Sequence, residues 1–151
     1  MRANALLIAT ALALAAAPAL AEERGTPAQA QALAERAAKR IAEIGAEQAI
    51  KEFNDPAGGF VLGDIFPFVY APDGKTECCS NMRALVGRDA RSFKDSDGKE
   101  FGKEIINLAN ERGTGWVSYR MTNPVTRKIE DKVTYIIKVD GYIVGVGAYR
   151  Q

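Results

Sequence analysis

The sequence contains no histidine. That absence excludes Ser-His-Asp and Cys-His catalysis and removes the usual ligand of zinc and haem. Cysteine is nearly absent as well, and the two present, Cys78 and Cys79, are adjacent. A pair so close cannot staple distant elements, so no long-range disulfide frames the fold. Reduced packing residues, a strained vicinal disulfide and intermolecular bridges all stay open. A metal site does not, because no histidine or third cysteine completes it. Charge of one sign is also missing: Lys and Arg number 20 against 19 Asp and Glu. A nucleic-acid partner would favour a basic surplus, so none is expected. Serines, lysines and carboxylates occur without a catalytic motif or a placed nucleophile–base pair. We therefore assign no catalytic residue, no metal and no cofactor, and expect no enzyme.

Long apolar runs are rare too. Leu6 to Ala17 falls short of the roughly 20 residues a membrane span needs. It follows Arg2 and precedes Pro18 and the small-x-small Ala19-Leu20-Ala21, the pattern of an export signal cleaved after Ala21. Residues 1–21 are thus expected to be a signal peptide. Residues 22–151 are expected to be a single periplasmic or secreted domain, near neutral once Arg2 is removed.

What is present is organised around residues 115–150. Trp116 to Thr122 alternates apolar and polar residues and stops at Asn123-Pro124. Lys132 to Val139 is rich in β-branched residues and ends at Asp140-Gly141, the dipeptide of a type I′ hairpin. Tyr142 to Tyr149 carries Gly145 and Gly147, which invite close packing against the strand. Upstream, Thr26-Pro27 is an N-cap and first-turn pair, opening one long helix over about 28–53 with a stripe at Leu33, Ala37, Ile41 and Ile44. The sheet and its covering loops then occupy about 60–150. Asp64 to Ala71 and Thr76 to Cys79 flank the turn Pro72-Asp73-Gly74-Lys75, with Pro67 pointing to an edge or an interruption. Asp97, Gly98 and Glu104 fit positions 5, 6 and 12 of a calcium loop, but position 1 would be Phe93, which cannot ligate. An Asp-rich turn capping a helix from about Lys99 to Arg112 is the expectation instead. The sum is an α+β domain: about five antiparallel strands, a long N-terminal helix and a second short one, with the helices to one side, like the PAS fold.

Several stretches in order carry a resemblance: Phe68-Val69-Tyr70 with Asp73-Gly74, Leu85-Val86-Gly87, Lys94-Asp95 with Asp97-Gly98-Lys99, and Gly115-Trp116-Val117 with Tyr119. It continues through Asn123-Pro124, Lys132, Thr134-Tyr135 and Val144 to Tyr149. The chain resembles the single Cache domains of the second type, PAS-like extracytoplasmic sensors, over nearly all of residues 28–150. The resemblance implies a periplasmic pocket for small ligands, often short organic acids, usually serving a chemoreceptor or histidine kinase. With nothing after Gln151, this looks like a freestanding secreted version that signals through a membrane receptor or kinase partner. Met121 stands where the family often has tryptophan, and Cys79-Ser80 near where it often has histidine.

The candidate ligand-binding residues are Tyr70, Arg91, Trp116, Tyr119, Lys132 and Tyr135, with Lys132 as the cation for a carboxylate and Arg91 and Arg88 as alternatives. Strand parity sends Trp116 and Tyr119 to opposite faces, and Lys132 and Tyr135 likewise, unless a bulge intervenes. The competing reading is a structural protein that binds no ligand and instead forms a homodimer, or docks on a receptor, through the long helix or a sheet edge.

Overall fold

The computed structural model describes residues 24–150, so the expected signal peptide and its cleavage site lie outside the described residues. Helix α1 spans Pro27–Ile44 and α2 spans Ala46–Asn54. Strands follow as β1 (Pro67–Tyr70) and β2 (Thr76–Cys79). Helix α3 (Phe101–Arg112) leads into β3 (Thr114–Thr122), β4 (Ile129–Val139) and β5 (Tyr142–Tyr149). Short 3₁₀ turns sit at Arg83–Leu85 and Ala90–Ser92. The strands form one antiparallel sheet in the order β2-β1-β5-β4-β3.

The expected single N-terminal helix is two helices. Thr26 caps the first, with Gln29 closing a reciprocal capping box. Gly45 then breaks the run, at φ 83° and ψ 155°, a backbone region essentially reserved for glycine. The stripe expectation survives the break: Leu33, Ala37 and Ile41 are buried against Val69, Val144, Val146 and Ala148. Full burial of residues the size of leucine or isoleucine contributes about 2 kcal/mol each.

Helices do not lie to one side only. While α1 and α2 cover one face, α3 covers the other, packing Ile105 and Ala109 against Val117, Ile136 and Ile143. Alternation along β5 explains both layers. Val144, Val146 and Ala148 face α1, whereas Ile143, Gly145, Gly147 and Tyr149 face the α3 side. The β4–β5 turn is built as expected, with positive φ at both Asp140 (50°) and Gly141 (82°).

Pro67 opens β1, which is an inner strand; at the first position its missing N–H is tolerated. Both true edges are covered. The Thr76 backbone of β2 pairs with Gly87 and Arg88. On β3, Arg120 N–H donates to Asp95 and its carbonyl accepts from the Ser96 N–H. The Asp-rich turn therefore does not cap α3: Asp95 accepts from the backbone N–H groups of Asp97, Lys99 and Arg120, and covers an edge that would otherwise invite pairing.

Candidate functional site

On the α3 side of the sheet lies an inner cavity of about 30 Å³, room for about two waters. Phe66, Phe68, Phe93 and Phe101 make most of its wall, while Met82, Leu85 and Met121 close it. Its polar lining consists of Tyr70, Thr76, Cys79, Tyr119 and Lys132.

Glycines make room for this lining. A Cβ on Gly145 would overlap the Phe68 ring, and one on Gly147 would overlap the Lys132 stem and the Thr134 hydroxyl. The pairing of β1 with β2 slips between Val69 and Tyr70, leaving Glu77 as the extra residue of a bulge. Thr76 and Cys79, three apart, thereby line the same cavity, while Cys78 turns into the α1 layer. The cysteines are free and buried. Burial pushes the Cys79 thiol up to about 11, against a smaller opposing pull from Lys132.

Lys132 decides the site's chemistry. It is 7% exposed, and among the described residues its Nζ has no hydrogen-bond or ion-pair partner. Instead the ammonium lies 4.7 Å from the Tyr149 ring centroid and 5.8 Å from that of Phe66, contacts that partly replace lost hydration. Desolvation pulls its pKa down to about 8, opposed by smaller effects of Cys79 and Asp64. Two further polar atoms nearby lack partners: the Thr76 hydroxyl and Asp64 Oδ2, whose other oxygen accepts the Gly25 N–H at 2.6 Å. Tyr119 hydrogen-bonds Thr134 at 2.8 Å, and its ring stacks on Phe101 at 4.2 Å. Burial drives the Tyr70 and Tyr119 hydroxyls above the usual range for a phenol, so both stay protonated donors. An open polar cleft bordered by Asp95, Lys99, Arg120 and Arg150 reaches the same Tyr119 and Lys132 from outside.

The register settles where the six candidates stand. Tyr119 pairs with Lys132, and both face the cavity with Tyr70. Trp116 pairs with Tyr135 on the opposite face, where the rings meet at 5.0 Å; Tyr135 packs on the α1 layer and Trp116 is 42% exposed. Arg91 is drawn away from the cavity, donating to the Asp73 carbonyl at 2.6 and 2.8 Å and to Asp89. It occupies the space that a Cβ on Gly74 would fill, so its guanidinium fastens the first hairpin turn. Sequence reasoning missed Thr76, Phe66 and Phe68. Only the bulge places Thr76 here, and no sequence pattern marks it.

A family profile described as the Cache domain matches residues 21–151. The chain belongs to the Cache domain family. Similar solved structures include a methyl-accepting chemotaxis protein from Vibrio parahaemolyticus, at 17% identity and a TM-score of 0.67 over 81% of this chain and 86% of that one. A periplasmic sensor domain of a chemotaxis protein matches at 23% identity and a TM-score of 0.63, over 81% and 88%. A Cache chemosensory domain described for carboxylic acid recognition matches at 23% and 0.63, over 82% and 88%. The Cache chain thus shares its α+β architecture with extracytoplasmic sensor domains.

Proposed function

We propose that this Cache domain is an exported sensor module whose inner cavity binds a small carboxylate and reports it to a membrane receptor or kinase partner. The observation that carries this reading is Lys132, a buried ammonium that makes no ion pair among the described residues, in one cavity lining with a buried Thr76 hydroxyl without a partner. A carboxylate answers both needs. One oxygen takes the desolvated charge, where a charge-assisted bond is strongest, and the other accepts from Thr76 or Tyr70. Apolar walls suit a short alkyl tail, and the absence of a second cation from the lining favours a monoacid. The similar Cache chemosensory domain described for carboxylic acid recognition supports the same class. In this reading Tyr70, Tyr119 and Lys132 contact or shape the ligand, whereas Arg91, Trp116 and Tyr135 have structural roles.

Entry requires the cavity to open. Met82 and Met121, unbranched and adaptable, are the side chains that move. The small volume and bulky lining also favour a second reading, an interaction module that dimerises or docks without a ligand. A thermal-shift screen with acetate, propionate, pyruvate and neutral isosteres separates the two. A millimolar acid bound at micromolar affinity adds about 4 kcal/mol to stability. Shifts by acids alone, lost in Lys132→Met, support the sensor; no shift with any acid moves the assignment to the interaction module.

A further inference from the structure

The carboxylate reading uses Lys132 as a cation, but its surroundings also suit the free amine. We propose that the inner cavity captures small aldehydes covalently, Lys132 Nζ condensing with the carbonyl carbon to give an imine and one water. The nitrogen lone pair attacks the carbonyl carbon, and the oxygen collects one proton from nitrogen. The resulting hydroxyl then leaves with the second nitrogen proton as water, and the C=N bond forms. No oxidant or reductant is needed.

Three features of the site drive this condensation. First, Lys132 makes no ion pair among the described residues, Asp64 offsetting its desolvation only in part, and an imine is a weaker base than an amine. Condensation therefore removes a charge that burial penalises. Second, Phe66 and Tyr149 flank the nitrogen at 5.8 and 4.7 Å, and the lysine is only 7% exposed. Excluding water favours the dehydration step and protects the imine from hydrolysis. Third, the unpartnered Thr76 hydroxyl stands in the lining to receive the departing oxygen. A cavity of about 30 Å³ restricts the partner to the smallest aldehydes.

Desolvation supplies the nucleophile. With a pKa of about 8, Lys132 is partly neutral near physiological pH, whereas an ordinary lysine titrates near 10.4. The neighbouring thiol does not compete, since burial holds Cys79 protonated. This inference goes beyond the carboxylate reading and does not rest on it: one needs the ammonium, the other the amine.

The test incubates the purified protein with dilute acetaldehyde and cyanoborohydride near pH 7.5, followed by peptide mass mapping. Lys132 is expected to gain the ethyl group about tenfold or more faster than exposed Lys39, Lys51 and Lys103. The adduct should persist in Cys79→Ser. Modification of the exposed lysines at an equal or greater rate than Lys132 overturns the proposal, and because the native protein is mapped, that result does not depend on any variant folding. Acetate provides the separate arm. Slower labelling of Lys132 in acetate places both ligands in one cavity, while unchanged, selective labelling keeps the aldehyde site and counts against the carboxylate reading.

Discussion

At the residue scale, Lys132 is a stability liability held in place by its neighbours. Its folded pKa of about 8 lies below the ordinary lysine value, so between those two values the unfolded chain binds more protons than the folded one. Stability therefore rises with pH from about 8 upward and is lost again as pH falls through that value. Both cysteines titrate the other way, pushed up to about 12 and about 11, so the folded state keeps protons that the unfolded state releases above about 9. Measured against Lys132→Met, in which the cysteine contributions cancel, the wild-type protein should gain on the order of 1 kcal/mol between pH 7 and 9. Lys132→Met should be more stable at pH 7 by about 1–3 kcal/mol and lack that rise, because it removes an unpaired buried charge. Urea denaturation of both proteins at pH 7, 8 and 9 checks this; a difference between wild type and variant that stays constant from 7 to 9 contradicts it. Residue roles were legible in sequence only as far as chemistry goes. The pattern named Lys132, Tyr119 and Tyr70 as polar groups for a ligand. It could not tell that the guanidinium of Arg91 is spent on the Asp73 carbonyl, since that depends on the bare Cα of Gly74.

At the scale of elements, two backbone devices position the site, and they differ in how visible they are. Gly145 and Gly147 show in the sequence as gaps in a strand, and the structure fills those gaps with Phe68 and with Lys132 and Thr134. The Glu77 bulge leaves no such mark, so Thr76 was missed. Strand parity correctly separated Trp116 from Tyr119, yet register decided which of them meets Lys132. The break between α1 and α2 went unread for a related reason: the apolar stripe continues across Gly45, and periodicity is blind to one residue's φ. That glycine is directly testable. Nothing lies within reach of an added Cβ, so Gly45→Ala meets only backbone strain. It should cost about 1–3 kcal/mol in chemical denaturation while leaving ligand affinity unchanged. A neutral effect would mean that α1 and α2 fuse without loss.

For the whole molecule, the sheet divides two tasks. The α1 face is a mainly aliphatic layer that also holds Phe53 and Phe60, while the α3 face carries aromatic rings around an ammonium. Lys132 also pairs in register with Tyr149, and the Tyr149 hydroxyl donates to the Thr122 carbonyl. Ahead of α1, Arg24 binds Glu130 through two bonds of 2.9 and 3.0 Å, with Asn123 and Thr126 holding the same carboxylate. The start of the helix layer and the end of β5 thus meet, with Gly25 to Pro27 against Tyr149 and Arg150. The decisive experiment for the carboxylate site is calorimetric titration of a small monoacid such as propionate from pH 6.5 to 9.5, in buffers of different ionisation enthalpy. A carboxylate beside Lys132 restores its charge and raises its pKa. Affinity should therefore hold below about pH 8, fall as pH rises above it by up to tenfold per unit, and be accompanied by proton uptake near pH 8. Binding that is independent of pH, or that survives in Lys132→Met, would contradict the claim that Lys132 is the cation of this site.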